Sequence, residues 1–174
     1  SRLGQLRLKR GYSIRESRNF QLGEPSSRDN LRAFHISLGG NYTDQYRGRT
    51  FAELKFNQGI SDSNENRPLL SRARARGNIF RAEFNFTRFQ STGFAGSYFI
   101  IRGNGQISSA RALSSNLFSV GGFGTVRGFP ISEHSGSNGY NGGIEYVIPF
   151  PSNITLPYGK LKLKDILSFN TFVE

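Results

Sequence analysis

Gly121-Gly-Phe-Gly-Thr-Val-Arg-Gly-Phe129 opens the longest connection in the chain, residues 121–139, which carries six glycines and one proline, Pro130. A glycine-rich stretch of that length inside a compact domain is usually functional or disordered. At its centre Arg127 is flanked by Gly124 and Gly128, residues that permit tight or positive-φ backbone and close approach to a wall. Full solvation of Arg127 would also expose Phe123 and Phe129. A buried or half-buried guanidinium needs a carboxylate, so the loop reads as an arginine carried toward an acidic partner.

Outward from this loop, helical spacing is almost absent and period-two patterns run through the chain. In residues 78–90, Phe80, Ala82, Phe84 and Phe86 fall on one face and Arg81, Glu83, Asn85 and Thr87 on the other. Residues 50–58 set Ala52, Leu54 and Phe56 against Glu53, Lys55 and Asn57, and residues 140–148 set Tyr140, Ile144, Tyr146 and Ile148 against Gly143, Glu145 and Val147. The last segment sets Leu167, Phe169, Thr171 and Val173 against Ser168, Asn170 and Glu174. Further strands are expected near residues 3–9, 31–40, 93–103, 115–120 and 158–164. Alternation of Arg72, Arg74 and Arg76 predicts a stripe of arginines on one strand face. Polar faces that carry full charges, and aromatics confined to the opposite face, suit a barrel with a wet lumen and a lipid-facing wall. Residues 78–90 also exceed the ~9–11 residues that cross a bilayer when tilted. Periodicity alone leaves a membrane barrel and a soluble sandwich or barrel equally open.

Composition narrows the chemistry. The 174 residues include 21 Gly and 16 Phe but no Cys, Met or Trp, which excludes disulfides and Cys-ligated metals. The two histidines, His35 and His134, lie in different regions, so no metal site is expected. No nucleophile elbow or phosphate loop appears, and the reading is of a protein without enzymatic activity or cofactor. A net charge of +11 raises a polyanion partner. The phenylalanines, however, lie on the face opposite the arginines and could not stack bases held there, so nucleic acid is not expected. No run reaches the ~18–20 apolar residues of a membrane helix, and no signal peptide opens at Ser1. Either the protein is cytoplasmic or the chain is an internal piece of a longer protein, and the strand pattern and the resemblance below favour the second.

These residues carry a resemblance. The stretch Leu113-Ser-Ser-Asn-Leu-Phe-Ser-Val-Gly-Gly-Phe-Gly-Thr-Val-Arg-Gly-Phe129 resembles a segment of the two-partner secretion transporters, the haemolysin-activator/secretion family, relatives of the BamA-type barrel assembly proteins. Arg67-Pro-Leu-Leu-Ser-Arg72, Gly105-Gln106 and Asn138-Gly-Tyr-Asn-Gly-Gly-Ile-Glu145 resemble family pieces in family order. The resemblance spans at least residues 67–174. It implies a bacterial outer-membrane, sixteen-stranded antiparallel transmembrane β-barrel, within the range such barrels span, preceded by periplasmic POTRA domains. Residues 1–174 would then be a partial barrel of eight or nine strands, about half of the whole, with a monomeric barrel expected.

The resemblance further implies that the loop bearing Val126, Arg127, Gly128 and Phe129, with Gly121, Gly122 and Gly124 before it, folds into the lumen. Its arginine would pair with an acid in a Phe-x-Asp-x-Gly motif. Phe172-Val-Glu174 occupies that place with Glu for Asp, so an Arg127–Glu174 latch is expected, and alternation puts Glu174 on the polar face independently. The implied function is translocation of an unfolded secreted exoprotein through the pore, with the lipid bilayer as the other partner. The alternatives are a BamA-type insertase, and a passive porin or soluble β-sheet binding module.

Overall fold

The computed structural model describes residues 4–22, 24–60, 71–150 and 166–174. Nine strands follow in chain order: β1 (Gln5–Gln21), β2 (Glu24–Thr43), β3 (Gly48–Gly59), β4 (Phe80–Ser91), β5 (Tyr98–Ser108), β6 (Phe118–Val120), β7 (His134–Gly136), β8 (Gly139–Pro149) and β9 (Ser168–Val173). Seven of them form one antiparallel meander in the order β1-β2-β3-β4-β5-β8-β9. Within it, every strand except the two edges pairs with its neighbours on both sides. Residues 158–164, expected to form a strand, lie outside the described residues.

The register shows how alternation becomes two unlike surfaces. Leu8, Leu38, Leu54 and Phe84 stand opposite one another across four strands, and Phe84 then faces Gly105 on β5. A Cβ on Gly105 would sit 2.5 Å from the Phe84 ring, so the missing side chain makes room for the aromatic. Cross-strand pairs of this kind contribute roughly 0.2–1 kcal/mol each. One residue away the row reverses character: Lys9, Ser37, Lys55, Glu83 and Gln106 follow one another on the opposite face.

The apolar face has no protein to cover it. Leu8 is 73% exposed, Ile36 53%, Leu54 47% and Phe169 60%, whereas the buried apolar residues among the described ones are few. A soluble sandwich would bury this face against a second sheet. A membrane wall presents it to lipid, and closes its backbone hydrogen bonds strand to strand because hydrocarbon offers none. The exposure therefore separates the two folds that periodicity leaves open: the chain is all-β, part of a transmembrane β-barrel wall.

Strand extents differ from the sequence expectation in instructive ways. β1 has 17 residues and β2 has 20, far longer than residues 3–9 and 31–40. Above Ala33 the β2 ladder pairs with β1 only, so this hairpin projects past its neighbours. The apolar alternation fades there while the ladder continues. β5 starts at Tyr98 rather than residue 93, because Gly93, Ala95 and Gly96 all have positive φ and turn the chain. The stripe of Arg72, Arg74 and Arg76 is overturned: residues 71–78 form bends and turns with no strand, and Arg74 has φ 58°. Of residues 115–120, the first part is a 3-10 turn, Ser114–Asn116. The rest, β6, pairs with β7 in a two-stranded ribbon apart from the wall.

The β2–β3 and β4–β5 turns are short and share one rim, the short-turn rim, where β8 also ends and β9 begins; residues 60–79 and 109–138 are long and share the other rim with the tight β1–β2 turn. Asp44 builds the β2–β3 turn by accepting hydrogen bonds from the backbone N–H of Tyr46 (2.9 Å) and of Gly48 (2.8 Å) and from Arg88. The Arg88 hydrogen bond, more than the backbone donors, holds the Asp44 carboxyl below its ordinary 3.8. A depressed folded-state value stabilises the fold above the unfolded value, and that stabilisation is lost as pH falls through the lower one. Asp44→Asn should therefore modestly lower the melting temperature of the detergent-solubilised barrel at neutral pH, and the gap from the parent should close in acid. A gap independent of pH would refute this.

Candidate functional site

Residues 109–138 leave β5 at the long-loop rim and return along the charged inner face. The root of this loop is pinned first. Leu113, fully buried, packs in one cluster with Leu31 of β2 and Ala75. Gln106 of β5 donates to the carbonyls of Asn116 and Ser137, both at 2.9 Å, and Arg81 of β4 donates to the Asn116 carbonyl at 3.0 Å. Arg72 and the Ala112 N–H both donate to the Ser137 hydroxyl, each at 3.0 Å.

Asp29, only 2% exposed, accepts hydrogen bonds from the backbone N–H (3.2 Å) and hydroxyl of Ser71. The Ser71 hydroxyl in turn accepts one from the Ser114 N–H at 3.1 Å. Ser71→Ala removes that junction and leaves a buried carboxylate under-donated, at about 1–3 kcal/mol. Faster cleavage of the loop by externally added protease is the expected readout, and unchanged cleavage would count against the junction.

The quoted stretch forms the tip. Gly121 has φ 118° and Gly122 φ 92°, conformations that suit glycine. The turn closes through Gly122 N–H to the Phe129 carbonyl (3.1 Å), Thr125 N–H to the Gly122 carbonyl (3.1 Å) and Gly121 N–H to the Thr125 hydroxyl (2.8 Å). Val126 bridges back to Gly122, and Gly128 has φ 93°. Gly124 departs from the expected role: its φ is not positive, and a Cβ there would meet nothing within 4 Å. Phe123 and Phe129 remain exposed, at 88% and 56%, so the aromatics do not bury Arg127.

What buries Arg127 is the wall. Its Nε donates to Glu174 Oε1 at 2.7 Å, its backbone N–H to Glu174 Oε2 at 2.5 Å, and its Nη2 to Glu145 Oε2 at 3.1 Å. The guanidinium lies 3.6 Å above the centre of the Phe172 ring. The Arg127 side chain is 18% exposed, Glu145 9% and Glu174 8%. Arg102, from β5, stands 3.7 Å from the shared Glu145 oxygen, so two cations meet two carboxylates. Burial alone would lower the Arg127 pKa, but the hydrogen bonds of Glu174 and Glu145 outweigh it and raise it above its ordinary value. Stacking on an aromatic face while donating through two nitrogens uses geometry that lysine lacks.

The wall is shaped for this. Glu145 is an inner-face residue of β8, and Phe172 shares the face of Glu174 by parity on β9. Gly143 lies between them: a Cβ there would be 2.9 Å from Glu174 Cγ, so its bare backbone leaves space for the Glu174 side chain. Sequence reasoning brought forward Arg127 and Glu174 but not Glu145, Phe172 or Arg102 as site members. Parity signals for Glu145 and Phe172 were present. What was missing was the β5–β8–β9 register that stacks three strands under one loop. His35 lies on the inner face of β2 against Gly11, and His134 is in β7.

An antiparallel wall, apolar on one face and charged on the other, with a long loop carried back over its charged face, defines a transmembrane β-barrel protein of the outer-membrane type. A family model described as haemolysin secretion/activation protein ShlB/FhaC/HecB matches residues 2–141, and the chain belongs to that family. Membership implies outer-membrane secretion or activation of exoproteins. No curated protein and no solved structure matches the chain. The matched stretch includes Val126–Phe129 but ends before Glu145 and Glu174.

Proposed function

We propose that this chain forms part of the wall of an outer-membrane pore through which an unfolded secreted exoprotein crosses, with the long loop latched across the lumen. The observation that carries the reading is Arg127, which ties the loop tip to two wall strands through Glu145 and Glu174. A passive pore has no need of such a tie. A transporter that stays shut between substrates does, and the same tie can be exchanged for substrate contacts. The residues act by binding and release, with no bond made or broken.

Outer-membrane barrels place short turns at the periplasmic rim, and the β2–β3 and β4–β5 turns are of that kind. The rim that bears them is therefore assigned to the periplasm. The barrel is taken to act as a monomer in the lipid bilayer. Cells lacking the full-length gene should lose surface delivery of the cognate exoprotein and regain it on complementation. Ion conductance with no delivery would instead mark a passive porin.

A further inference from the structure

The inner face near the short-turn rim carries a second feature, on β1–β3 rather than on the β5, β8 and β9 strands beneath Arg127. The inner residues of β2 there, Ser37, Gly39 and Asn41, are small, while longer side chains stand on either side. Arg7 and Lys9 rise from β1, and Arg49 and Phe51 from β3, around a shared concavity of about 530 Å³. Because adjacent strands lie roughly 4.8 Å apart, a floor one strand wide between two ridges has the width of a single extended chain. Its long axis follows β2.

The chemistry of the ridges is one-sided. Lys9, Arg49 and Lys55 make no ion pair among the described residues, and Arg7 donates only to Gln5. Lys55 lies level with Lys9 across Ser37, which extends the cationic line toward the loop root. Glu53 is the single carboxylate of the concavity. Arg49 lies 4.8 Å from the centre of the Phe51 ring, and Phe51 meets Phe89 edge-on at 6.2 Å. The guanidinium is thereby oriented by an aromatic shelf rather than neutralised. Elsewhere on this face Arg81 and Arg127 have carboxylate partners at 3.1 Å or closer. The entrance half of β1–β3 is left cationic.

We propose that this groove is a docking track for an extended, acidic segment of the translocating polypeptide, held at the periplasmic mouth before the loop is displaced. Only a chain in extended form fits a floor one strand wide. In such a chain, alternate side chains share a face, so carboxylates at every second position would meet the row of cations. This deepens the transport reading by naming the chemistry of the segment recognised, and it rests on that reading.

The test uses the full-length protein in planar bilayers, with a synthetic peptide of alternating aspartate and serine added on the short-turn side. The peptide is expected to block the current, and a lysine–serine peptide is not. Lys9→Glu with Arg49→Glu should raise the half-blocking concentration roughly ten-fold, while open-channel conductance persists. If the reversed pair does not insert, Lys9→Gln with Arg49→Gln should show the same direction with a smaller shift. Equal block by the two peptides, an unchanged half-blocking concentration in an inserted variant, or equal block by a branched sulfated dextran would each overturn the proposal. Exoprotein delivery in cells is read separately: delivery without peptide block sinks the groove alone, and block without delivery sinks the transport reading.

Discussion

Arg127→Ala is expected to abolish gated delivery of the exoprotein while the barrel still inserts and keeps its heat-resistant mobility on gels. The substitution removes three things at once: the Nε bond to Glu174, the Nη2 bond to Glu145, and the cation over Phe172. It leaves two carboxylates facing the same space with only Arg102 near one of them. Losing one partner of a buried pair costs about 3–5 kcal/mol, and the 18% exposure of Arg127 argues for the lower end. A change of about 3 kcal/mol shifts the docked–undocked balance of the loop roughly a hundred-fold. The inserted state should survive because the seven-stranded ladder does not pass through Arg127. Arg127→Lys should fall between the two, since it keeps the charge but loses the planar fork. A loop as protease-resistant in Arg127→Ala as in the parent would sink the latch.

Gly121→Val should be nearly as severe, for a steric reason. A Cβ at this position would lie 2.3 Å from the Pro130 carbonyl oxygen and 3.0 Å from the Glu133 N, at a φ of 118° that β-branched residues essentially do not adopt. Both neighbours are backbone, so neither can step aside without unfolding the turn. Arg127 would keep its charge but lose the turn that aims it. The expected result is loss of delivery comparable to Arg127→Ala, whereas Gly124→Ala should leave delivery intact, because its Cβ would enter open space. The contrast is the informative measurement: two glycines three residues apart, one indispensable and one replaceable. Equal tolerance at both would show that the tip conformation does not matter.

The sequence carried the alternation, and with it strands, faces and the identity of the inner wall. Phe80, Ala82, Phe84 and Phe86 against Arg81, Glu83 and Asn85 needed no structure to separate, because a strand's period of two is a local property. It carried Glu174 as well, since parity on one strand is enough to put that residue inside. It misplaced Arg72, Arg74 and Arg76, where three alternating arginines imitate a strand. The positive φ of Arg74 and the tie of Arg72 to Ser137 are set by the loop that packs on them.

Tertiary structure alone decided the rest. Whether an apolar face meets a second sheet or lipid is invisible in a period of two, and was settled by a face left bare across seven strands. Gly121 and Gly124 look alike as letters, and only the neighbouring Pro130 carbonyl separates them. Arg127 announces that it needs a carboxylate, and Glu174 was legible as one, but that Glu145 shares the guanidinium depends on a strand 18 residues away. A single sequence records what each residue can do with its immediate neighbours. Register brings Glu145, Phe172 and Glu174 beneath one loop, and register is a property of the assembled sheet.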